Sequence, residues 1–176
     1  MSMTLEGVSS NRDHWRAEDC SIAKTFKVVG SRSTMLLVRE AFYGTKRFAD
    51  FADRAGVTEA TASARLKQLV DDGIFEKRQY EATGARTRFE YVLTEKGRDL
   101  LPVILAMMNW GDRYLQTDVA PVQVSDRSTG MPVSVAVLSE DGSEVGPNNL
   151  TVHFVGAKKE PAAARTQAPI DGEPTL

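Results

Sequence analysis

Thr58 is followed by Ala60, Thr61, Ala64, Arg65 and Gln68, spaced so that these five share one side of a helix. The front of that side is small and its rear is long and polar. Such a helix can approach base-pair edges in a duplex groove. Bulk near its N-terminus would hold it away, whereas arginine, glutamine and threonine offer the donors and acceptors that bases read. Lys46, Lys77, Arg78, Arg86 and Arg88 flank it in sequence and are suited to neutralising phosphates, the source of salt-dependent affinity. On an arbitrary helix and hairpin the same residues would be ordinary solvated surface, so the surrounding elements must decide.

Other chemistries find less support. His14 and His153 lie far apart without an HxxxH or CxxC partner, so no metal site is expected. The acidic residues do not pair into a general acid and base on any one expected surface, and no Gly-rich phosphate loop is present. The expectation is therefore a protein that is not an enzyme and needs no cofactor. Cys20 is the sole cysteine, which excludes an intramolecular disulfide and leaves one between two copies open. At a helix N-terminus its thiol is a candidate redox sensor, although Glu18 and Asp19 beside it oppose the thiolate; the plain reading is a small buried hydrophobe. Met107, Met108 and Trp110 offer a candidate small-molecule effector pocket, and equally plain core.

The elements that must position these residues follow from apolar spacing. Ile22, Ala23, Phe26 and Val29 mark a first helix closed by Gly30. Ser33 precedes a second, whose Met35, Leu36, Leu37, Val38, Ala41 and Phe42 crowd more than half its circumference and predict deep burial. Arg47 to Ala55 forms a short third helix through Phe48, Phe51 and Ala52, and Ala55-Gly56 supplies the turn. Thr58 caps the fourth helix, with Ala62, Leu66, Leu69 and Val70 as its buried stripe up to Gly73. Ile74 to Tyr80 and Arg88 to Leu93 bracket Glu81 to Thr87 with Gly84 at the tip, and the second arm alternates Phe89, Tyr91, Leu93 inward against Arg88, Glu90, Val92 outward. Thr94 caps a last long helix, bent at Pro102, whose Leu100, Leu101, Ile104, Leu105, Met108, Tyr114 and Leu115 exceed what one small domain can cover. That surplus predicts a homodimer.

Beyond Gln116 the texture becomes β-rich, with runs Val119 to Val124, Val133 to Leu138 and Leu150 to Val155 between Ser-Thr-Gly and Glu-Asp-Gly turns. The expected organisation is a flexible arm over 1–18, a main domain over 19–116, a small β-annex over 119–156 and a disordered tail over 157–176. The fold class is α+β, mainly α: a winged helix-turn-helix with flanking dimerisation helices and the small C-terminal β-annex. Net charge is −2, yet Cys20 to Arg98 holds 15 Lys and Arg against 10 Asp and Glu, so the basic charge sits where the groove-reading pattern lies. The start of the chain carries no cationic segment followed by an apolar run, and Leu100 to Met108 is too short to cross a bilayer, so no membrane association is expected and the cytoplasm is the default location.

Several blocks in order carry a resemblance. Cys20, the run Gly30-Ser31-Arg32-Ser33-Thr34-Met35-Leu36-Leu37-Val38-Arg39-Glu40, Lys46-Arg47-Phe48-Ala49-Asp50-Phe51, Leu66 to Gly73, and Tyr91-Val92-Leu93-Thr94-Glu95-Lys96-Gly97-Arg98-Asp99-Leu100-Leu101-Pro102 resemble the HxlR family of bacterial transcription regulators. The likeness spans roughly 20–116, and Trp110-Gly111 and Tyr114 extend it. It implies a winged helix, dimerisation through the first and last long helices, and binding to an inverted repeat of double-stranded DNA. The dimer interface would then hold Ile22, Phe26, Ile104, Leu105, Met108, Trp110 and Tyr114, and in some relatives the cysteine matching Cys20 senses oxidants, quinones or aldehydes. Two departures stand out: Ser33 occupies the position the family most often fills with Trp, and the annex lies outside the minimal domain.

The sequence thus points to a dimeric DNA-binding regulator, a repressor by expectation, released by a small molecule or by thiol modification. The alternative is a protein-interaction module in which the winged helix is scaffold and the annex binds a partner.

Overall fold

The computed structural model describes residues 3–16, 18–80 and 88–153, the side chains of Val8 and His14 excepted. The expected hairpin tip over 81–87, Arg86 included, and the tail from 154 onward lie outside the described residues. The chain divides into two compact units, Ala17–Glu144 and Met1–Arg16 with Val145–Leu176.

The larger unit opens with α1 (Ser21–Val29) and α2 (Arg32–Phe42). Ser31, and not Ser33, caps α2: the Ser31 hydroxyl accepts from the Thr34 amide at 3.1 Å, while Ser33 lies inside the first turn, its hydroxyl 3.2 Å from that of Ser31. The sequence pattern places the helix start at Ser33; the three-residue reach from the Ser31 Oγ to the orphan Thr34 amide sets it two residues earlier. Next come α3 (Phe48–Ala55) and α4 (Glu59–Asp71). Gly56 joins them in the left-handed region at φ 61, a conformation that costs glycine little and a β-carbon much. The antiparallel ribbon of β2 (Phe75–Tyr80) and β3 (Arg88–Leu93) pairs Phe75 with Leu93 and Tyr80 with Arg88.

One core joins these elements. Leu37 and Val38 of α2, Phe51 and Ala55 of α3, Leu66 and Leu69 of α4, Ile74, Phe75, Leu93 and Ile104 are all buried together. Phe51 is at its centre, with no exposed surface, meeting the ring of Phe75 edge-on at 5.8 Å and that of Tyr91 at 6.2 Å. A buried carboxylate, unforeseen from the sequence, braces the rim: Glu40 accepts from Arg39 Nη2 at 2.5 Å and from the Thr45 hydroxyl at 3.3 Å, and Arg54 of α3 donates to that hydroxyl at 3.2 Å. The pairing satisfies a charge that burial alone would penalise.

The last helix departs from expectation. It is two helices, α5 (Glu95–Arg98) and α6 (Leu101–Tyr114), and Pro102 stands in the first turn of α6 instead of bending one long helix. A first-turn proline lacks only an N–H that has no intrahelical partner, so a helix start accommodates it where a helix interior does not.

The expected β-annex also differs. Within Ala17–Glu144 its first two runs form no strand, and only isolated bridges occur at their ends, Ser125 with Pro132 and Leu138 with Glu144. The third contributes β4 (Thr151–Val152), which pairs in parallel with β1 (Thr4–Leu5) in the smaller unit. The N-terminal arm, read as loose, therefore holds a strand whose partner lies about 147 positions away, a pairing that local periodicity cannot reveal.

Thr94 ties the ribbon to α5. Its hydroxyl donates to the Gly73 carbonyl at 2.6 Å and accepts from the Gly97 amide at 3.1 Å. Gly97 is buried there, and a β-carbon on it would collide with the Ile74 carbonyl oxygen and the Leu93 side chain. Backbone cannot yield as a side-chain tip can, so Gly97→Ala is expected to lower stability by about 2 kcal/mol, the usual scale of core overpacking. A denaturant midpoint equal to wild type would contradict this packing.

Candidate nucleic-acid interface

The turn at Gly56 delivers α4 with its N-terminus free. Thr58 caps it by accepting from the Thr61 amide at 3.2 Å, and the two threonine hydroxyls lie 2.9 Å apart. Thr61 is thus half-buried and already engaged, whereas Ala60, Ala64, Arg65 and Gln68 are exposed. Gln68 donates to Asp72 at 3.2 Å, a bond at the rear of the same side. Ala62, Leu66 and Leu69 face the core as the spacing predicts. Ser63 and Lys67 are exposed as well, one helical turn apart, and were missed as candidates; their i, i+4 spacing beside Ala60 and Ala64 was the available signal.

The ribbon sorts its cations by strand alternation. Lys77 stands opposite Tyr91 and therefore on the face that leads into the core, its ammonium 4.5 Å from the centre of the Phe89 ring. Arg78, opposite Glu90, and Arg88, opposite Tyr80, occupy the other face. The cations expected to meet phosphate are thus divided between the two faces of the ribbon. Two of the expected cations are also paired: Arg78 is ion-paired with Glu76, and Lys46 Nζ lies 3.9 Å from Glu90. The glutamates were visible in the sequence, but their partners depend on register. The Lys46 carbonyl also accepts from the Tyr91 amide at 2.9 Å, which docks the segment leading into α3 against β3. Arg47, at the start of α3, sits 5.9 Å over the Tyr80 ring and adds a cation not singled out before.

A second surface is apolar. On α1, Ile22 and Phe26 are 68% and 65% exposed, and on α6, Trp110 and Tyr114 are 58% and 59% exposed, their rings tilted against each other at 5.5 Å. Pro102, Val103, Ala106, Met107, Trp110, Gly111 and Leu115 line an open groove along α6. Ile104 does not belong to this surface. It is 6% exposed and part of the core, because it lies on the side of α6 that packs inward. Leu105 is half-buried, and Met108 packs against the core with the Tyr43 hydroxyl 3.7 Å from its sulfur. Of the candidate effector-pocket residues, Met107 and Trp110 share the groove and Met108 does not.

Cys20 is exposed at the N-cap of α1, contrary to the reading as a buried hydrophobe. Among the described residues no cluster of three or more His, Cys, Asp or Glu is arranged to hold a metal, and no helix is long and apolar enough to cross a membrane.

Known proteins share this arrangement. The family model for the HxlR-like helix-turn-helix matches residues 28–119. Rv3095 of Mycobacterium tuberculosis, named as a helix-turn-helix transcriptional regulator, is 36% identical over 138 residues, which is 77% of this chain and 86% of Rv3095. The crystal structure of PA1607, described as a candidate transcription factor, superposes with a TM-score of 0.69 at 33% identity, covering 82% of this chain and 98% of that one. Since 82% of 176 residues reaches beyond what the first 119 can supply, that likeness continues into the annex. The oxidised form of the redox regulator HypR superposes with a TM-score of 0.50 at 32% identity, covering 57% of this chain and all of HypR. A capped helix with a small exposed front, the ribbon behind it and these likenesses converge: the chain belongs to the HxlR-like helix-turn-helix family and is a DNA-binding transcriptional regulator of that type.

Proposed function

We propose that the protein acts as a homodimeric repressor of an inverted-repeat operator, with α4 of each copy in a major groove and the ribbon against the flanking backbone. The observation that carries this reading is the exposed start of α4, where Ala60 and Ala64 leave room for groove entry and Arg65 stands beside them with no partner in the protein among the described residues. Thr58 and Thr61 hold the helix end, Arg65 and Gln68 read base edges, and Lys46, Lys77, Arg78, Arg86 and Arg88 meet phosphates. The dimer is supported by the apolar exposure of Ile22 and Phe26 on α1 and of Trp110 and Tyr114 on α6, more than a monomer leaves uncovered without cause. Two-fold symmetry would set the recognition helices about one turn of duplex, roughly 34 Å, apart. A dimer of that span denies the covered promoter to polymerase, which is the reason for reading it as a repressor at work in the cytoplasm.

Release would follow modification of Cys20, whose exposed thiol begins the helix that carries Ile22 and Phe26, or a small molecule seated in the α6 groove. The likeness to a redox regulator supports the first route. If the thiol is the switch, treatment with oxidant lowers operator affinity in the wild type and leaves Cys20→Ser unchanged. Equal loss in both, or in neither, sinks that route.

Arg65→Ala should weaken operator binding about 10- to 100-fold, the value of a good base contact, and relax preference at one base pair. Arg88→Ala should weaken specific and nonspecific DNA alike and reduce the salt slope by about one. Anisotropy titrations on selected and scrambled duplexes at several salt concentrations separate the two; a salt slope unchanged in Arg88→Ala places that residue off the DNA. Glu90→Gln removes the partner that holds Lys46. It should tighten nonspecific DNA binding several-fold at low salt, and a weaker affinity would show that Glu90 instead positions a needed group.

A further inference from the structure

The annex beyond the family match holds a feature that neither the groove-reading surface nor the helical faces explain. Two tight turns frame it. In the first, Asp126 accepts from the Ser128 hydroxyl and amide at 2.5 and 2.6 Å, and Val133 donates back to the Val124 carbonyl at 2.9 Å. In the second, Ser139 donates through its hydroxyl to Asp141 at 2.5 Å and through its amide to the Ser143 carbonyl at 2.9 Å. The bonds from Ser139 and Ser143 hold the Asp141 carboxyl down to about 2, so this turn keeps its anion at any ordinary pH. Gly130 and Gly142 take the left-handed backbone that closes the turns, at φ 72 and 85.

Between the turns the chain is bare. Ser134, Val135, Ala136 and Val137 make no backbone hydrogen bond among the described residues, and every residue from Met131 to Leu138 is exposed. Val133, Val135 and Val137 are 38%, 39% and 55% exposed, at the two-residue spacing that an extended segment places on one face. The run belongs to no strand of the fold, and its unpaired amides and carbonyls are free to pair as an edge strand does, a feature that native proteins cover or protect with charge. This one carries no charge from Met131 to Leu138, so it suits neither phosphate nor an acidic or basic partner.

We propose that Val133–Val137 pairs antiparallel with the same segment of a second copy across the dimer two-fold axis. The sequence Val133-Ser134-Val135-Ala136-Val137 reads almost identically in both directions. An axis through Val135 sets Val135 against its own copy, Val133 against Val137 and Ser134 against Ala136, so each valine meets a valine and the bare backbone groups that face the partner find bonds. The annex leaves the chain directly after Tyr114 and Leu115, whose exposed side chains continue the α6 surface read above as the dimer face. The inference rests on that homodimer reading and adds a strand pairing to it.

Directly opposed residues of an antiparallel pair have β-carbons about 4.5–5.5 Å apart, within reach of a disulfide after small adjustment, whereas diagonal neighbours lie about 7–8 Å apart. In the full chain carrying Cys20→Ser, Val135→Cys is therefore expected to form a covalent dimer rapidly under oxidised glutathione. Ser134→Cys, whose nearest equivalent is diagonal, should do so at least tenfold more slowly. Val135→Lys, which opposes two ammonium groups across the axis, should raise the dimer dissociation constant several-fold in sedimentation, with the helical signal of the fold unchanged. Equal crosslinking of the two cysteine variants, or a Val135→Lys protein that dimerises as the wild type does, overturns the strand pairing while the homodimer stands. Sedimentation of the wild type as a monomer at all concentrations overturns both.

Discussion

How Phe51 packs decides where everything on the groove-reading side points. Its ring has no exposed surface and takes the edges of Phe75 in β2 and Tyr91 in β3, so the short helix that carries it is clamped between the ribbon and the other helices. That same helix ends in the left-handed turn at Gly56, from which α4 departs. Recognition helix and wing are thus referenced to one side chain. Neither can shift without opening the densest part of the core, where even one missing methylene is felt. Preorganisation of this kind matters for a DNA reader, because any freedom left between helix and ribbon must be given up on binding.

Around that rigid centre the electrostatics are restrained. Much of the positive charge on and beside the ribbon is offset locally, Lys46 before α3 by Glu90 and Arg78 by Glu76, and Lys77 is drawn to the Phe89 ring. Exposed pairs of this sort add little to stability, on the order of 0–1 kcal/mol each. Under the proposed docking their effect on binding would be larger in kind, because phosphates would have to compete with carboxylates already in place. A regulator that depends on discrimination gains from a lower nonspecific affinity, since specificity is a ratio against a large excess of other sites.

Apolar surface is the other imbalance. The core takes Ile104 and part of Met108, after which α6 still exposes Trp110, Tyr114 and Leu115, and α1 exposes Ile22 and Phe26. The annex repeats the pattern with the exposed Val133, Val135 and Val137. Both exposures have the same origin: a small domain has one core, and this chain supplies more apolar residues than that core holds.

The sequence by itself determined the helices, the turn, the ribbon and the family, because each rests on spacing within a few residues: the apolar stripe of α4, the Thr58 and Thr94 caps, the alternation of Phe89, Tyr91 and Leu93. It also placed the small residues Ala60 and Ala64 on the exposed side of α4. Only the tertiary structure decided that Ser31 caps α2, that Pro102 begins a helix instead of bending one, and that Ile104 belongs to the core. It alone showed that Lys77 and Arg78 occupy opposite faces, that Glu40 is buried and satisfied, and that Thr4–Leu5 finds its strand partner at Thr151–Val152. The division has a physical cause. Caps and periodicities are written in contacts between near neighbours in sequence, whereas burial side, ion-pair partner and strand register depend on groups brought together from distant positions, whose meeting is settled by how the whole core closes.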